Sequence, residues 1–168
     1  TGGTGLIGTK LTQHLIENNY EVIILSRNKK KSSQNPKINY SYWDVKKEII
    51  DTAVVQKADY IIHLAGAGVM DKRWIEEYKK EILESRTKSA ALLVKTLKEN
   101  THHVKEFISA SAIGWYGEDA KPQIRKEGFV ETDVAAKDFL GETCLLWEAS
   151  TEPVTDLGIR LVKLRTGI

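Results

Sequence analysis

A glycine-rich turn opens the chain and leads directly into an amphipathic helix. Gly2, Gly5 and Gly8 recur at intervals of three residues. In such a turn the first glycine permits a tight bend, the second lets the backbone approach a diphosphate, and the third lets the helix pack closely on a strand. The helix that follows would direct its free N–H groups and the positive end of its dipole toward phosphates. Glycine-rich turns without a ligand also occur, but this pattern is typical of a turn that binds a dinucleotide.

Apolar side chains behind this turn follow first a helical and then a strand period. They recur at helical spacing from Leu6 to Leu15, and residues 21–25 form a short β-branched run that indicates a buried strand. Further strands are predicted at 38–42, 60–64, 107–109 and 159–164, and further helices at 45–55, 73–99 and 138–149. This alternation favours an α/β fold of Rossmann type, a doubly wound parallel sheet covered on both faces. The long irregular stretch 114–137 is a candidate lid.

Both ends of the chain suggest further residues. Only Thr1 precedes the glycine turn, where a parallel sheet would place its first strand, and the last predicted strand runs almost to Ile168. We therefore expect residues 1–168 to form one NADP(H)-binding Rossmann domain that is incomplete at both ends. It would lack its first strand and a C-terminal substrate-binding portion.

Composition excludes several classes of protein. The chain is 41% hydrophobic but has no apolar run of about 20 residues that could span a bilayer. Its net charge of +2 comes from 25 basic and 23 acidic residues that are interspersed, which argues against a general nucleic-acid surface. Cys144 is the single cysteine, so an intramolecular disulfide is excluded, and no secretory signal is visible. We expect a cytoplasmic protein.

The residues after the strand at 21–25 bear on which dinucleotide would fit. A carboxylate at this position accepts from the 2′-hydroxyl of NAD, whereas an arginine accommodates the 2′-phosphate of NADP. The chain has Ser26 and Arg27 here and no acidic residue. We therefore predict NADP(H), with a solvated Arg27 at the start of a lysine-rich loop as the alternative.

Motifs along essentially the whole chain resemble the atypical, epimerase-like branch of the short-chain dehydrogenase/reductase superfamily. They are TGGTGLIG at 1–8, LSR at 25–27, HLAGA at 63–67, DKRW at 71–74, ESR at 84–86, SASAIGWYG at 109–117, DFL at 138–140, WE at 147–148 and LRTG at 164–167. The resemblance implies a Rossmann-type fold, NADP(H) as cofactor and a small-molecule substrate.

The resemblance also implies a set of cofactor contacts. They are Gly2, Thr4, Gly5, Leu6 and Ile7 at the pyrophosphate, Ser26 and Arg27 at the 2′-phosphate, Asp44 near the adenine, Leu64, Ala65 and Gly66 along the adenosine-to-ribose path, and Glu81 and Arg86 nearby on a helix. An ion pair between Glu81 and Arg86 that faces solvent is an equally good reading of the last two.

The catalytic residues depart from the superfamily pattern. Its members typically use a serine or threonine to polarise the substrate and a Tyr-x-x-x-Lys pair for acid/base chemistry. Ser111 matches the polarising position, but the helix at 138–149 contains neither tyrosine nor lysine. Tyr116 is a candidate for the missing phenol, and the alternatives are a serine that merely ends a strand and an aromatic ring that packs under the loop.

Two functions remain open at this point. The first is an NADP(H)-binding, epimerase-like oxidoreductase that acts on a small, sugar-nucleotide-like substrate. The second is a non-catalytic NADPH-binding regulator or interaction protein, redox-sensing or related to cell division, which the missing Tyr-x-x-x-Lys pair favours. No metal site is predicted, because the histidines lack carboxylates or cysteines at metal-binding spacing, and Cys144 reads as a small buried side chain. A homodimer is the assembly to be tested.

Overall fold

Helices and strands alternate in the computed structural model, which describes residues 1–29, 31–118 and 128–167. The helices are α1 (Leu6–Glu17), α2 (Thr52–Lys57), α3 (Glu76–Glu99) and α4 (Phe139–Thr151). The strands are β1 (Val22–Ser26), β2 (Ile38–Asp44), β3 (Ile49–Ile50), β4 (Tyr60–His63), β5 (Glu106–Ala112) and β6 (Arg160–Thr166). Short 3₁₀ helices occupy Ile113–Tyr116 and Glu152–Leu157. None of the described helices is long and apolar enough to cross a membrane.

The strands form two three-stranded sheets. In the first, β1 pairs in parallel with β2, which pairs antiparallel with the short β3. In the second, β5 lies in the centre and pairs in parallel with β4 and β6. The predicted α/β fold with parallel strands is confirmed.

A gap separates the facing edges of β1 and β4. It is a cavity of about 630 Å³ with apolar walls that include Leu11, Ile24 and Ile61. Thr1 lies at one end of the gap, where its nitrogen donates to the Ile62 carbonyl at 2.7 Å and its carbonyl accepts from Leu64 at 3.3 Å. These bonds hold the start of the glycine turn at the carboxyl end of β4.

Alternation along β5 decides which of its side chains reach the helices. Phe107, Ser109 and Ser111 share one face, because successive side chains of a strand point to opposite sides. All three are buried, and Phe107 joins Leu93 and Leu97 of α3 in the main apolar cluster. The same face therefore packs an apolar core at one end of β5 and presents a buried hydroxyl at the other.

Two predicted helix boundaries were wrong. Residues 45–55 form a turn, strand β3 and the start of α2, because Ile50 pairs with Trp43 and the Asp51 carboxylate caps α2 by accepting from the Ala53 amide at 3.1 Å. Helix α3 begins at Glu76 rather than at residue 73. Helix α4 ends at Thr151, two residues after the predicted end, and Pro153 lies in the first turn of the 3₁₀ helix that follows. Residues 119–127 of the candidate lid lie outside the described residues.

Candidate functional site

Gly2, Gly5 and Gly8 of the opening turn meet different steric demands. Gly2 has a φ of +70°, and a Cβ there would lie 2.7 Å from the Leu64 carbonyl carbon. A Cβ on Gly8 would lie 2.2 Å from the Gly2 oxygen, so the helix could not sit this close to the turn. At Gly5 the nearest atom would be at an ordinary 3.5 Å, again the Gly2 oxygen. Gly2 and Gly8 are thus required by the packing of the protein itself, while Gly5 has room for a neighbour.

The amino end of α1 is exposed and has no side-chain cap. Gly5 is its N-cap, no side chain caps the first amides, and the first turn contains no acidic residue. Leu6, the first residue of the helix, is 86% exposed, and Thr4 and Ile7 are also exposed. Free N–H groups and the positive end of the helix dipole favour a phosphate at such a place.

A buried histidine supports this turn from behind. The His63 Nδ1 lies 2.7 Å from the Thr1 hydroxyl, and its Nε2 lies 3.2 Å from the Ser89 hydroxyl on α3. The Ser89 hydroxyl donates its hydrogen bond to the Ser85 carbonyl, so its oxygen accepts from the His63 Nε2–H. The unprotonated Nδ1 of His63 then accepts from the Thr1 hydroxyl. Burial lowers the pKa of His63 from 6.5 to about 3, so the ring is neutral.

The carboxyl ends of β1 and β2 lie side by side beyond the turn. Ser26 is paired in register with Tyr42, and Arg27 is exposed immediately after it. Asp44 accepts from the Tyr42 hydroxyl at 3.2 Å and from two following backbone amides. The Lys29 ammonium lies 4.5 Å from the Tyr42 ring centroid. The Ser26 hydroxyl and the cations Arg27 and Lys29 thus lie at or just after the end of β1, where the sequence predicts a 2′-phosphate.

The segment after β4 lies between the glycine turn and α3. The Leu64 and Ala65 amides both bond to Thr1, and Gly66 packs against the Arg86 side chain. The predicted alternative of a solvent-facing Glu81–Arg86 ion pair was wrong. Glu81 pairs with Lys72 at 3.0 Å.

Arg86 instead turns inward and stacks on an indole. Its guanidinium carbon lies 4.9 Å from the ring centroid of Trp147 on α4. The structure therefore brings Gly66 and Arg86 together between the segment after β4 and α4, and leaves Glu81 on the exposed side of α3.

The two predicted catalytic residues are joined by a polar network. Ser111 donates to the Glu148 carboxylate at 2.7 Å. Arg165 holds the same carboxylate through Nε at 2.8 Å and Nη2 at 3.1 Å, and its Nη1 donates to the Tyr116 hydroxyl at 3.1 Å. The Arg165 guanidinium also stacks on the Trp115 ring, 3.8 Å from its centroid.

Charge and burial decide what this network can offer. Ser111 and Glu148 are 1% and 3% exposed. Burial raises the pKa of Glu148, but hydrogen bonds from Arg165 and Ser111 outweigh it and hold that pKa below its ordinary value. The hydrogen bond to Glu148 raises the pKa of Arg165 in turn, so the pair is ionised. Because the Ser111 hydroxyl donates its hydrogen bond to Glu148, its oxygen can still accept one.

The Tyr116 side chain makes both an aromatic contact and a polar contact. Its ring stacks on Phe129 with centroids 4.8 Å apart, while its hydroxyl accepts from Arg165. The phenol proton is therefore available to another acceptor.

Glu148 and Arg165 had no predicted role, although the family motifs contain both. A signal was present in each case, since a carboxylate follows the apolar run that ends at Trp147, and a guanidinium follows Leu164. Cys144, on the same helix as Glu148, is buried, and burial raises the pKa of its thiol, which favours the interpretation as a small buried side chain. Within the described ranges, no three His, Cys, Asp or Glu side chains are grouped as a metal site.

Comparisons with known proteins agree with this architecture. The chain is 33% identical over 171 residues to epimerase family protein SSP1921 of Staphylococcus saprophyticus, covering 100% of this chain and 53% of that protein. The human epimerase family protein SDR39U1, solved with NADPH, matches 98% of this chain and 51% of its own at 26% identity and a TM-score of 0.72. The nucleoside-diphosphate sugar epimerase of Corynebacterium glutamicum matches 99% of this chain and 32% of its own at 33% identity and a TM-score of 0.76.

The chain thus spans about half the length of the curated relatives it matches. The sequence model of the NAD dependent epimerase/dehydratase family matches residues 1–137. That match, together with parallel strands and a glycine turn at the amino end of α1, has one consequence: the chain belongs to the NAD dependent epimerase/dehydratase family.

Proposed function

We propose that residues 1–168 are an NADP(H)-binding domain and that the protein is an epimerase-like oxidoreductase. The observation that carries the proposal is the glycine turn at the uncapped end of α1, where Gly5 leaves room for a neighbour and the first amides lack a side-chain cap. Those amides suit a diphosphate. In this proposal Leu64, Ala65 and Gly66 border the path from adenosine to nicotinamide ribose.

The preference for NADP(H) rests on the charges beside β1. Arg27 and Lys29 are cations at the end of a strand where an acidic residue would favour NAD. Asp44 is close by on β2, but its carboxylate is occupied by the Tyr42 hydroxyl and by backbone amides. The human relative SDR39U1 was solved with NADPH, which agrees with this preference.

The proposed reaction takes place at the carboxyl ends of β5 and β6. The nicotinamide ring, when bound, supplies reversible hydride exchange with a substrate carbon. Ser111 offers a fixed acceptor to a substrate hydroxyl, and Tyr116 offers a proton while Arg165 holds its oxygen. The similarity to a nucleoside-diphosphate sugar epimerase supports a sugar-nucleotide-like substrate.

Cofactor titration tests the first half of the proposal. Dissociation constants for NADPH and NADH would be measured for the wild type, for Arg27→Ala and for the matched control Arg160→Ala. Arg160 begins β6, and its guanidinium pairs with Glu106 at the start of β5. A lost charge-assisted bond predicts an NADPH constant raised by about ten- to a hundredfold in Arg27→Ala only, with NADH unchanged. Tighter binding of NADH than of NADPH by the wild type would contradict the assignment.

Turnover assays test the second part of the proposal, the oxidoreductase activity. NADPH oxidation would be followed with a panel of carbonyl compounds and nucleotide sugars, and Ser111→Ala is expected to abolish it without changing the NADPH dissociation constant. Tight NADPH binding with no turnover of any substrate would instead support the regulator. The cytoplasmic location and the homodimer stay predictions, to be checked by fractionation and by sedimentation.

A further inference from the structure

The Arg165 guanidinium is bound along two of its edges. On one edge, Nε and Nη2 donate to the Glu148 carboxylate at 2.8 and 3.1 Å. On another, Nη1 donates to the Tyr116 hydroxyl at 3.1 Å and to the Glu131 carbonyl at 3.0 Å. A guanidinium carries its donors in fixed directions around a plane, whereas a lysine ammonium concentrates its donors on one atom. The arginine can therefore hold a carboxylate and a phenol in place at the same time.

Packing and charge fix the direction in which this guanidinium points. The Arg165 side chain is only 15% exposed, and its guanidinium carbon lies 3.8 Å from the Trp115 ring centroid. Glu148 is buried and accepts a further hydrogen bond from Ser111, so the carboxylate is itself held in place. Hydrogen bonds to Glu148 and, less strongly, to Tyr116 raise the pKa of Arg165 against the effect of its burial, and the charge is retained. The buried carboxylate thus sets the direction of the donor that reaches Tyr116.

The Tyr116 hydroxyl takes one defined role in this arrangement. A guanidinium has donors only, so the Tyr116 oxygen accepts from Arg165, and the phenol proton is directed toward a different acceptor. Tyr116 ends the 3₁₀ helix that follows β5. In open α/β sheets the ligand crevice lies at the carboxyl ends of the strands. The phenol proton is therefore offered at the edge of the sheet where a substrate would bind.

We propose that Arg165 is a positioning residue, oriented by Glu148, that holds Tyr116 as the proton donor to a carbonyl oxygen of the substrate. The identity of this acceptor rests on the proposed function. Neither Arg165 nor Glu148 touches the reacting atoms in this proposal. Both act through the Tyr116 hydroxyl.

Proton transfer explains why a cation at this position would favour the reaction. As the hydride that the nicotinamide supplies reaches the carbonyl carbon, the Tyr116 O–H bond breaks and its proton forms the O–H bond of the product alcohol. The negative charge is left on the Tyr116 oxygen, beside Arg165 Nη1. A hydrogen bond between two charged groups is stronger than one to a neutral phenol, so this contact stabilises the state after proton transfer more than the state before it. A proton from water then restores the phenol.

Substitutions at both ends of this contact test the proposal in the full-length protein. Arg165→Lys keeps a cation beside Glu148 but removes the donor to Tyr116, and Tyr116→Phe removes the hydroxyl. Arg160→Lys is the matched control, because Arg160 lies on the same strand and pairs with Glu106 at the surface. Should Arg165→Lys fail to fold, Glu148→Asp, which withdraws the carboxylate by one methylene, takes its place.

Two kinds of measurement are needed. The kcat and KM values would be determined with NADPH and the panel of carbonyl compounds and nucleotide sugars, alongside the NADPH dissociation constant. Carbon-13 NMR of the tyrosine Cζ atoms reports the hydrogen bond to Tyr116 without turnover, and the Tyr116 resonance would be assigned from its absence in Tyr116→Phe.

A positioning role predicts a specific combination of results. In Arg165→Lys the Tyr116 resonance should move and kcat should fall by about a hundredfold, while KM and the NADPH dissociation constant change by less than about threefold. Arg160→Lys should change none of these. A Tyr116 resonance that stays in place, an unchanged kcat in Arg165→Lys or Tyr116→Phe, or a rise in KM alone would overturn the proposal. Wild type that turns over no substrate would refute the proposed oxidoreductase, and the resonance alone would then decide whether Arg165 positions the Tyr116 hydroxyl.

Discussion

Acidification between pH 7 and pH 5 should destabilise this fold through one buried ring. His63 is 0% exposed and bonds as a neutral ring to the Thr1 and Ser89 hydroxyls. Protonation of Nδ1 would turn its acceptor into a donor and place a charge in a dry site. The glycine turn is attached to β4 at this point, so the perturbation acts directly on the proposed cofactor cradle.

The size and sign follow from the two pKa values of this group. The pKa of His63 falls from 6.5 to about 3 on folding, chiefly because burial disfavours the cation. Between these values the unfolded chain binds the additional proton, so stability is complete above pH 6.5 and declines as the pH falls toward 3. From pH 7 to pH 5 this amounts to about 2 kcal/mol of unfolding free energy. Carboxylates, with ordinary pKa values of about 4, contribute little in this window.

Urea unfolding at a series of pH values measures this loss. The wild type would be compared with His63→Gln, whose amide stays neutral, and with His14→Gln at an exposed helical position. We expect the loss in the wild type and in His14→Gln, and a nearly flat profile in His63→Gln whatever its stability at pH 7. Equal losses in the wild type and His63→Gln would refute the reasoning.

Three further substitutions probe the network, the turn and a helix cap. Glu148→Gln leaves the Arg165 guanidinium without its partner and should cost about 3 kcal/mol in urea unfolding. The same change at the half-exposed Glu152 should cost less than about 1 kcal/mol, and equal costs would argue against a special role for the buried carboxylate. Gly8→Ala places a Cβ 2.2 Å from a backbone oxygen and should cost at least about 2 kcal/mol, so a neutral result would contradict the close approach of α1 to the turn. Asp138→Ala removes the N-cap of α4 and should lower the thermal midpoint by the equivalent of about 1 kcal/mol, whereas Asp138→Asn should not.

The fold class and the glycine turn before α1 were predictable because both depend on local residue spacing. Glycines at 2, 5 and 8 and an apolar period that switches between helix and strand involve residues close together in sequence. The failures were local as well. Residues 45–55 were predicted as a helix, but the pairing of β3 with β2 and the cap at Asp51 overrode the apolar period there.

The assembly of the site was not predictable in the same way. Ser111 and Tyr116 were selected as separate candidates, and the link between them runs through Glu148, 37 residues after the serine, and Arg165, 17 residues further on. The register of β5 and β6 places Ser111 beside Arg165. Such proximity depends on strand pairing and on how α4 packs, which no short window of sequence contains.

The sequence by itself therefore determined the alternating architecture, the glycine turn before α1 and the absence of a Tyr-x-x-x-Lys pair on α4, since each follows from residue type and spacing. Only the tertiary structure decided that Arg86 turns inward onto Trp147 rather than outward to Glu81, and that Glu148 accepts a hydrogen bond from Ser111. The reason is physical. Spacing along a helix defines its faces, but which face is desolvated depends on the elements that pack against it, and desolvation decides which charges must find partners.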